Sequence, residues 1–237
     1  MPSLDLPRLV FLPGLVNDAR FWQAQIDGLA GLADCTVGDV TGHDTISALA
    51  ASVLKQAPAT HFALAGLSMG GYVALEVMRQ APERVIALAL LDTSAHPDTP
   101  QATEARRTAM KLSETDYPAV LAALLPKLML PAHAQKETLA HLFTTMAQSV
   151  GAEGYRRQQT AIIGRIDSRP FLGSITCPTL VLCGDGDAVT PVEVHQEMAA
   201  AIPNADLKIL PDCGHLSAME QPSDVTEALK GWLQRLP

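Results

Sequence analysis

Cysteine is scarce in this sequence. The 237 residues include four cysteines, Cys35, Cys177, Cys183 and Cys213, and none of them forms a C-x-x-C pair. Such wide spacing provides neither the paired thiols of a zinc site nor a disulfide framework. We therefore expect reduced thiols, mostly buried among apolar residues, and no bound metal.

Positive charge is also in short supply. Lysine and arginine number 17 against 25 aspartates and glutamates, so the formal net charge is −8, and the isoelectric point is near 5.3. Adjacent basic residues occur only at positions 106–107 and 156–157. Because nucleic acids and anionic membranes are bound by concentrated basic faces, we expect a small-molecule partner and neither of these.

Long hydrophobic runs are missing as well. No apolar segment approaches the roughly 18 residues that a membrane-spanning helix needs. The first ten residues contain Asp5, where a secretion signal would carry bases, so we expect a cytoplasmic protein. With 48% hydrophobic and 18% charged residues, the composition suits one globular domain over residues 1–237.

Residues 61–78 have the sequence HFALAGLSMGGYVALEVM. The spacing of their apolar residues changes at a serine that lies between two glycines. The apolar run before Gly66 predicts a buried strand, and the apolar residues after Gly70 recur at helical spacing. The segment therefore predicts a strand, a sharp turn with Ser68 at its tip, and a helix.

Ser68 in such a turn is a candidate nucleophile. A cramped backbone pushes its hydroxyl clear of both flanking elements, and Gly66 and Gly70 leave the necessary space. The N–H groups at the start of the following helix are unpaired, so the Met69 N–H is positioned to stabilise an oxyanion. The alternative is an ordinary turn between a strand and a helix, with the G-x-S-x-G spacing arising by chance.

Strand and helix patterns alternate along most of the chain. Short apolar runs stop at glycine, proline or aspartate, and amphipathic stretches follow them. Strands are predicted at residues 9–12, 35–40, 62–65, 85–91, 179–183 and 207–210, and helices at 22–32, 46–54, after 68, and at 192–202 and 223–236. This alternation predicts an α/β fold with a mostly parallel sheet of about six strands flanked by helices.

Residues 95–174 interrupt the alternation with a run of helical patterns, which is too long for one crossover between strands. We expect a helical lid over the carboxyl edge of the sheet. Its apolar residues Leu121, Leu125, Leu128 and Met129 are candidates for substrate contact. An ordinary helical subdomain without a gating role is the alternative.

Polar residues that can perform chemistry follow several predicted strands. They are Ser68, Asp92, Asp185, Asp187 and His215. The carboxyl ends of parallel strands meet at one edge of a sheet, where functional groups collect. A serine hydroxyl becomes a nucleophile when a histidine takes its proton, and the histidine needs a carboxylate to orient it.

The loop after the first strand can complete the site. If strand 9–12 lies beside the strand that ends at Gly66, the Leu15 N–H converges on Ser68 as a second oxyanion donor. Gly14 would permit this close approach. Trp22, which follows the loop, is a candidate for the substrate wall, with burial in the core as the alternative.

These motifs together resemble those of the α/β-hydrolase fold family, in particular its small cytosolic esterases, lactonases and C–C hydrolases. The matching motifs are LPG at 12–14, GLSMGG at 66–71, GDGD at 184–187 with TP at 190–191, and CGH at 213–215 with EQP at 220–222. The resemblance runs from Leu9 to the C-terminus. It implies an α/β-hydrolase fold with a helical lid and a Ser-His-Asp triad that needs no cofactor or metal.

The resemblance also selects the acid. In that family the carboxylate falls three residues after the strand-end glycine and shortly before a proline, which favours Asp187 over Asp185 as the partner of His215. Asp92 is the reserve for this role. Relatives usually carry a histidine where this chain has Pro13, so the hydrogen bonds of that histidine must be replaced here.

The activity that the resemblance implies is hydrolysis of a carboxylic ester or lactone of a small, fairly apolar acid, through an acyl-enzyme. Two other functions are compatible with the same fold and triad. One is hydrolysis of a C–C bond beside a carbonyl. The other is a non-enzymatic ligand receptor or signalling protein that keeps the pocket.

Overall fold

A computed structural model of the protein describes residues 6–58 and 60–236. Residues 1–5, on which the expectation about a secretion signal partly depends, lie outside these ranges. Within them, no helix combines the length and the hydrophobicity that crossing a membrane would require.

The described residues form one parallel sheet of six strands. The strands are β1 (Arg8–Leu12), β2 (Asp34–Val37), β3 (Phe62–Leu67), β4 (Val85–Leu91), β5 (Thr179–Gly184) and β6 (Ala205–Leu210). Their order in the sheet is β2-β1-β3-β4-β5-β6. The order reverses between β1 and β3, and in open α/β sheets the crevice at this switch point is the usual place for a ligand.

Helices cover both faces of the sheet. They are α1 (Gln23–Gly28), α2 (Ile46–Gln56), α3 (Met69–Gln80), α4 (Pro100–Leu112), α5 (Tyr117–Leu128), α6 (Pro131–Ala134), α7 (Glu137–Ile163), α8 (Val192–Ala201), α9 (Ser217–Glu220) and α10 (Pro222–Leu233). Short 3₁₀ turns occur at Ala19–Trp22, Pro82–Arg84 and Arg169–Ser174. The fold class that the sequence predicts, a six-stranded sheet between helices, is confirmed.

Strand β3 shows why the sheet must be covered on both sides. Ala63 and Ala65 belong to one buried cluster, whereas Phe62 and Leu64 belong to the cluster on the opposite face. Successive side chains of a strand point to opposite faces, so a fully apolar strand requires packing on both. Each large apolar side chain buried in this way contributes about 1.5–3 kcal/mol to folding.

The predicted elements have the right type, and their ends differ by a few residues. The helix predicted over residues 22–32 starts with a 3₁₀ turn and continues as α1, which ends at Gly28. Gly31 then takes a φ of 79°. This left-handed conformation is common just after helices, and glycine adopts it without steric cost.

Helices α4 to α7 form the insertion between β4 and β5. Ser168 N–H donates to the Ala95 carbonyl oxygen at 2.8 Å, so the two ends of the insertion lie side by side. Helix α7 is interrupted at Gly151, which has φ 71° and ψ 169°. Leu121 and Phe143 belong to the same buried cluster as residues of β1 and β4, so the insertion and one face of the sheet share a hydrophobic core.

Candidate active site

The turn between β3 and α3 holds Ser68 in a strained conformation, with φ 55° and ψ −117°. Its neighbours must be glycines, because an added Cβ would lie 2.3 Å from the Gly70 oxygen at Gly66 and 2.2 Å from the Leu12 oxygen at Gly70. Ser68 N–H donates to the Leu91 carbonyl oxygen at 3.0 Å. The packing thus maintains a conformation that costs about 1–3 kcal/mol.

His215 joins the serine to a carboxylate. Its Nε2 lies 2.8 Å from Ser68 Oγ, and its Nδ1 lies 2.8 Å from Asp187 Oδ2. An ionised carboxylate can only accept, so Nδ1 carries the proton and Nε2 accepts from the serine hydroxyl. His215 is 2% exposed and Asp187 4%, so the hydrogen bond between them is shielded from water.

The surroundings of Asp187 favour its ionised form. Val189 N–H and Thr190 N–H donate to Oδ1 at 2.8 and 2.9 Å, and the Thr190 hydroxyl donates to Oδ2 at 2.6 Å. Burial alone would raise the pKa of Asp187, but the neighbouring His215 and these hydrogen bonds outweigh it and lower the pKa below its ordinary value. Asp187 is therefore suited to orient the histidine and to stabilise its cation.

The carboxylates of Asp92 and Asp185 accept hydrogen bonds from groups other than His215. Asp92 Oδ1 accepts from Gly184 N–H at 3.2 Å, and its Oδ2 accepts from the Ser217 N–H at 3.2 Å and from the Ser217 hydroxyl. Burial and the nearby charge of Asp187 raise the pKa of Asp92 well above its usual range. Asp185 is exposed, and its carboxylate accepts from Cys213 N–H at 3.3 Å.

Two backbone N–H groups are free to act as oxyanion donors. Among the described residues, neither Leu15 N–H nor Met69 N–H has a hydrogen-bond acceptor. Leu12 pairs with Gly66, so β1 and β3 are neighbours as the oxyanion-loop prediction required. An added Cβ at Gly14 would lie 3.3 Å from Ser68 Cβ, which means that the loop runs beside the serine.

Gln158 of α7 supports this loop. Its Oε1 accepts from Val16 N–H at 2.9 Å, and its Nε2 donates to the Val40 carbonyl oxygen at 3.3 Å. Val16 has a φ of 57°, a conformation rare for a β-branched residue. Gln158, a fully buried residue of the insertion, therefore stabilises a strained turn of the oxyanion loop. In this loop the chain has Pro13 at the place of the usual histidine.

Glu220, part of the EQP motif, holds the histidine loop in a way that the sequence analysis did not predict. Its buried carboxylate accepts from Gly214 N–H and Leu216 N–H, both at 3.1 Å, on either side of His215. It also accepts from Leu130 N–H at 3.0 Å and contacts His133 Nδ1 at 2.8 Å. Glu220 thus ties the histidine loop to the insertion. An acid five residues after a Gly-His pair was the available signal.

A cavity of about 180 Å³ opens on Ser68 and His215. Its walls come from the oxyanion loop, from the histidine loop and from three helices of the insertion. Its lining includes Leu15, Asn17, Arg106, Leu124, Lys127 and Leu128.

The cavity corrects part of the predicted substrate contacts. Leu128 lines it, but Leu121, Leu125 and Met129 do not; Leu121 and Met129 are buried in a hydrophobic cluster, and Leu125 packs against that cluster. Leu124, one helical turn before Leu128, lines the cavity instead. The helical pattern alone could not distinguish the face of α5 that meets the core from the face that meets the cavity.

Trp22 is also corrected. Its side chain is completely buried and stacks on Phe11 with a centroid distance of 4.5 Å. Phe21 packs edge-on against it at 5.1 Å. Trp22 therefore belongs to the core and not to the substrate wall.

Asn17 lies in the cavity wall with an unused amide. The residue is 1% exposed, and among the described residues its Oδ1 and Nδ2 have no hydrogen-bond partner. Buried amides in proteins are nearly always paired, because leaving them unpaired costs about 1–3 kcal/mol. The amide is thus available for a ligand bound next to Ser68.

His195 of α8 supports the serine turn from behind. Its Nδ1 donates to the Pro191 carbonyl oxygen at 3.1 Å, and its Nε2 accepts from Thr93 N–H at 2.9 Å. The Thr93 hydroxyl in turn donates to the Ser68 carbonyl oxygen at 2.8 Å. Burial lowers the pKa of His195 to about 4, so it serves as a neutral bridge.

The arrangement as a whole defines a class of fold. A strained serine follows β3, an acid follows β5 and a histidine follows β6, at one edge of a parallel sheet. This is the α/β-hydrolase fold. The chain belongs to the alpha/beta hydrolase family, whose model matches residues 9–229.

Proteins similar to this chain include a lactonase and esterases. The 3-oxoadipate enol-lactonase 2 of Acinetobacter baylyi is 28% identical over 98% of this chain and 90% of its own. The pimeloyl-(acyl-carrier protein) methyl ester esterase of Nitrosomonas europaea is 25% identical over 91% of each chain. The solved structure of a thermophilic esterase from Thermogutta terrifontis superposes with a TM-score of 0.88 at 30% identity, covering 97% of this chain and 90% of that one.

Proposed function

We propose that the protein is a serine hydrolase that cleaves a small carboxylic ester or lactone through an acyl-enzyme. The observation that carries the proposal is the continuous chain of hydrogen bonds from Ser68 Oγ through His215 to Asp187, with both distances at 2.8 Å. A nucleophile paired with a base that a third group orients is the arrangement that nucleophilic catalysis needs.

The first half of the reaction forms the acyl-enzyme. Ser68 Oγ attacks the carbonyl carbon while His215 Nε2 takes the hydroxyl proton, and Asp187 stabilises the resulting imidazolium. The carbonyl oxygen becomes an oxyanion that Leu15 N–H and Met69 N–H stabilise. His215 then gives its proton to the departing alkoxide, which leaves as an alcohol or, for a lactone, stays attached as a hydroxyl group.

The second half releases the acid. Water replaces the alcohol beside His215, which takes a proton from it as the water oxygen attacks the acyl carbonyl carbon. Collapse of this second intermediate breaks the bond to Ser68 Oγ, which regains its proton from His215. Each step uses groups of this chain and water.

In this proposal the insertion of residues 95–174 acts as a lid, and the cavity receives the acyl group. The support is that α4, α5 and α7 contribute cavity residues, and that Leu128 accepts from His215 N–H at 3.0 Å. The enol-lactonase and esterase relatives favour ester or lactone cleavage over C–C cleavage and over a non-enzymatic receptor.

The experiment is labelling with a fluorophosphonate, with turnover of short p-nitrophenyl esters, lactones and vinylogous diketones measured in parallel. We expect covalent labelling of Ser68, and a loss on the order of 10³ to 10⁶ in kcat for Ser68→Ala. Ser174→Ala, at an exposed serine outside the cavity, is the matched control.

Four outcomes would contradict the proposal. Labelling of another serine, or full activity of Ser68→Ala, removes Ser68 from the reaction. Turnover of diketones alone makes the protein a C–C hydrolase. Binding of substrates without turnover of any of them supports the receptor function.

A further inference from the structure

The cavity at Ser68 differs in charge from the rest of the molecule. Two of the residues that line it, Arg106 and Lys127, are cationic, and no aspartate or glutamate lines it within the described part of the chain. The whole sequence has 25 acidic residues against 17 basic ones. From this composition one would expect acidic residues to outnumber basic ones in the cavity wall. The charged residues that line the cavity are basic instead.

Hydrogen bonds hold Arg106 in position. Its Nε donates to Asp98 Oδ1 at 3.2 Å, and its Nη1 donates to Gln159 Oε1 at 2.8 Å. Gln159 Nε2 donates to the Tyr155 hydroxyl at 3.0 Å, so the network reaches α7. Arg106 Nη2 donates to none of the described residues, which leaves a charged donor available.

Asp98 does not neutralise this positive charge. The same carboxylate also accepts from Arg165 Nη1 at 2.8 Å, so two guanidinium groups share one negative charge. Asp98 is held ionised: burial opposes this, but Arg106 and Arg165 lower its pKa below the ordinary value. One positive charge therefore remains in the network.

Lys127 adds a second positive charge on α5. It is exposed, and its Nζ has no hydrogen-bond or ion-pair partner among the residues that the structure describes. It immediately precedes Leu128, whose carbonyl oxygen accepts from His215 N–H. A flexible ammonium group thus lies on the segment of the insertion that contacts the catalytic loop.

The two cations stand where the inner cavity meets an outer one. A second cavity of about 270 Å³ lies between α4 and α5, and Arg106 and Lys127 line both cavities, together with Leu124 and Gln159. An anion at this junction keeps contact with water. Its binding therefore avoids most of the desolvation penalty that a buried charge would meet.

We propose that Arg106 and Lys127 form an anion subsite, and that the substrate is a small ester or lactone whose acyl part carries a carboxylate away from the scissile carbonyl. This inference rests on the proposed function. The walls between Ser68 and the cations include Leu124 and Leu128, which suit a short hydrocarbon segment. The planar, forked guanidinium group matches a carboxylate in shape as well as in charge.

The test compares an anionic substrate with its neutral methyl ester. They are the mono-p-nitrophenyl ester of glutaric acid, which carries a free carboxylate, and its methyl ester, which is neutral. We expect kcat/KM for the anionic substrate to be about tenfold higher or more, as for a charge-assisted hydrogen bond in a partly exposed site. Raising the ionic strength should reduce this ratio, because salt screens exposed charges.

Charge-removing variants locate the subsite. In Lys127→Gln and in Arg106→Gln the ratio should fall by about fivefold or more. Lys111→Gln, at an exposed lysine of α4 outside both cavities, removes the same charge and should keep the ratio. Arg106→Gln also disturbs the Asp98 network and could unfold the insertion, so Lys127→Gln, at an exposed position, decides the question in that case.

A binding measurement separates this inference from the proposed function. Ser68→Ala cannot form an acyl-enzyme, so monomethyl glutarate and dimethyl glutarate can be titrated into it by calorimetry. We expect the anionic ester to bind more tightly, and the difference to disappear in Ser68→Ala combined with Lys127→Gln. Selective anion binding without hydrolysis by the native protein would contradict the proposed function and support the subsite.

Two results would overturn the subsite. One is ester hydrolysis by the native protein with a ratio near one. The other is a ratio that neither Lys127→Gln nor Arg106→Gln changes while both variants remain folded. In either case the positive charges serve the insertion and not the substrate.

Discussion

The three aspartates near Ser68 differ in what their side chains contact, and this sets their separate roles. Asp187 contacts His215, Asp92 contacts Ser217, and the Asp185 carboxylate accepts a hydrogen bond from the backbone of Cys213. All three follow strands at the same edge of the sheet. Position at a strand end is therefore insufficient for catalysis, and hydrogen bonding to the imidazole separates the acids.

Substitution of each acid by asparagine should give a clear order of activity. Asp187→Asn should lose on the order of 10⁴ in kcat, because the histidine would lose its orienting carboxylate. Asp185→Asn should lose nothing measurable. Asp92→Asn should lower the melting temperature, because Gly184 and Ser217 share its oxygens, with a smaller effect on kcat.

Steady-state kinetics and thermal melting of the three variants test this order. Equal losses of kcat at positions 185 and 187, or the largest loss at position 92, would reassign the acid.

Substitution of Asn17 tests whether its side-chain amide binds the substrate. Its amide has no partner among the described residues, so Asn17→Leu, of similar size, should leave the melting temperature unchanged or raise it. If the amide binds the substrate, kcat/KM should fall by about tenfold. A drop in melting temperature with unchanged kcat/KM would mean that the amide serves the oxyanion loop alone.

Helix α5 is the element that combines two functions on different faces. Leu121 packs into the core, whereas Leu124 lines the cavity, although the two lie only three residues apart. The carbonyl oxygen of Leu128 at its last turn accepts from His215 N–H. The helix therefore links the core, the proposed acyl pocket and the catalytic loop.

Alanine substitutions on α5 should separate these faces. Leu124→Ala should shift the preferred acyl chain length by roughly 1–3 kcal/mol in relative kcat/KM, with a modest loss of stability. Leu121→Ala, the matched control, should lower the free energy of unfolding by about 2–5 kcal/mol without changing the preferred chain length. A series of p-nitrophenyl esters and urea unfolding provide the two readouts. A chain-length shift in Leu121→Ala, or none in Leu124→Ala, would contradict this division.

On the scale of the whole molecule, the sheet and the insertion depend on residues that are distant in the sequence. His195 connects α8 to Thr93 after β4, and Gln158 connects α7 to the oxyanion loop. Glu220 connects the histidine loop to Leu130 of the insertion. These buried contacts couple the geometry of the site to the stability of the fold.

The pH dependence of stability should reveal the contribution of His195. The pKa of His195 is lowered by burial from 6.5 to about 4. Between these values the unfolded chain binds a proton that the folded protein does not, so stability falls as the pH falls from 6.5 towards 4. The full effect is about 3 kcal/mol, at 1.36 kcal/mol per pKa unit.

Urea unfolding of the native protein and of His195→Gln at several pH values between 4 and 7.5 measures this contribution. The variant should lose less stability on acidification, while His43→Gln, at an exposed histidine, should follow the native protein. Parallel curves for His195→Gln and the native protein would show that His195 does not supply this dependence.

Local patterns in the sequence determined the fold class and the candidate nucleophile. Strand and helix periods and the glycines around Ser68 act over a few residues, so they can be recognised without knowing what packs against them. The order of serine, acid and histidine then pointed to the family. Asp187 and His215 as partners of Ser68 remain predictions that the geometry supports and the proposed variants test.

Which side chains meet depends on the packing of distant segments, and local sequence patterns do not reveal it. Trp22 and Leu121 read as possible cavity residues in the sequence but are buried in the core, and Leu124 faces the cavity instead. Gln158 and Val16 are hydrogen-bonded across 142 positions of sequence, and Arg106 and Lys127 meet at one cavity although they belong to different helices. The physical reason is that such contacts depend on how helices pack on the sheet, which no local period encodes.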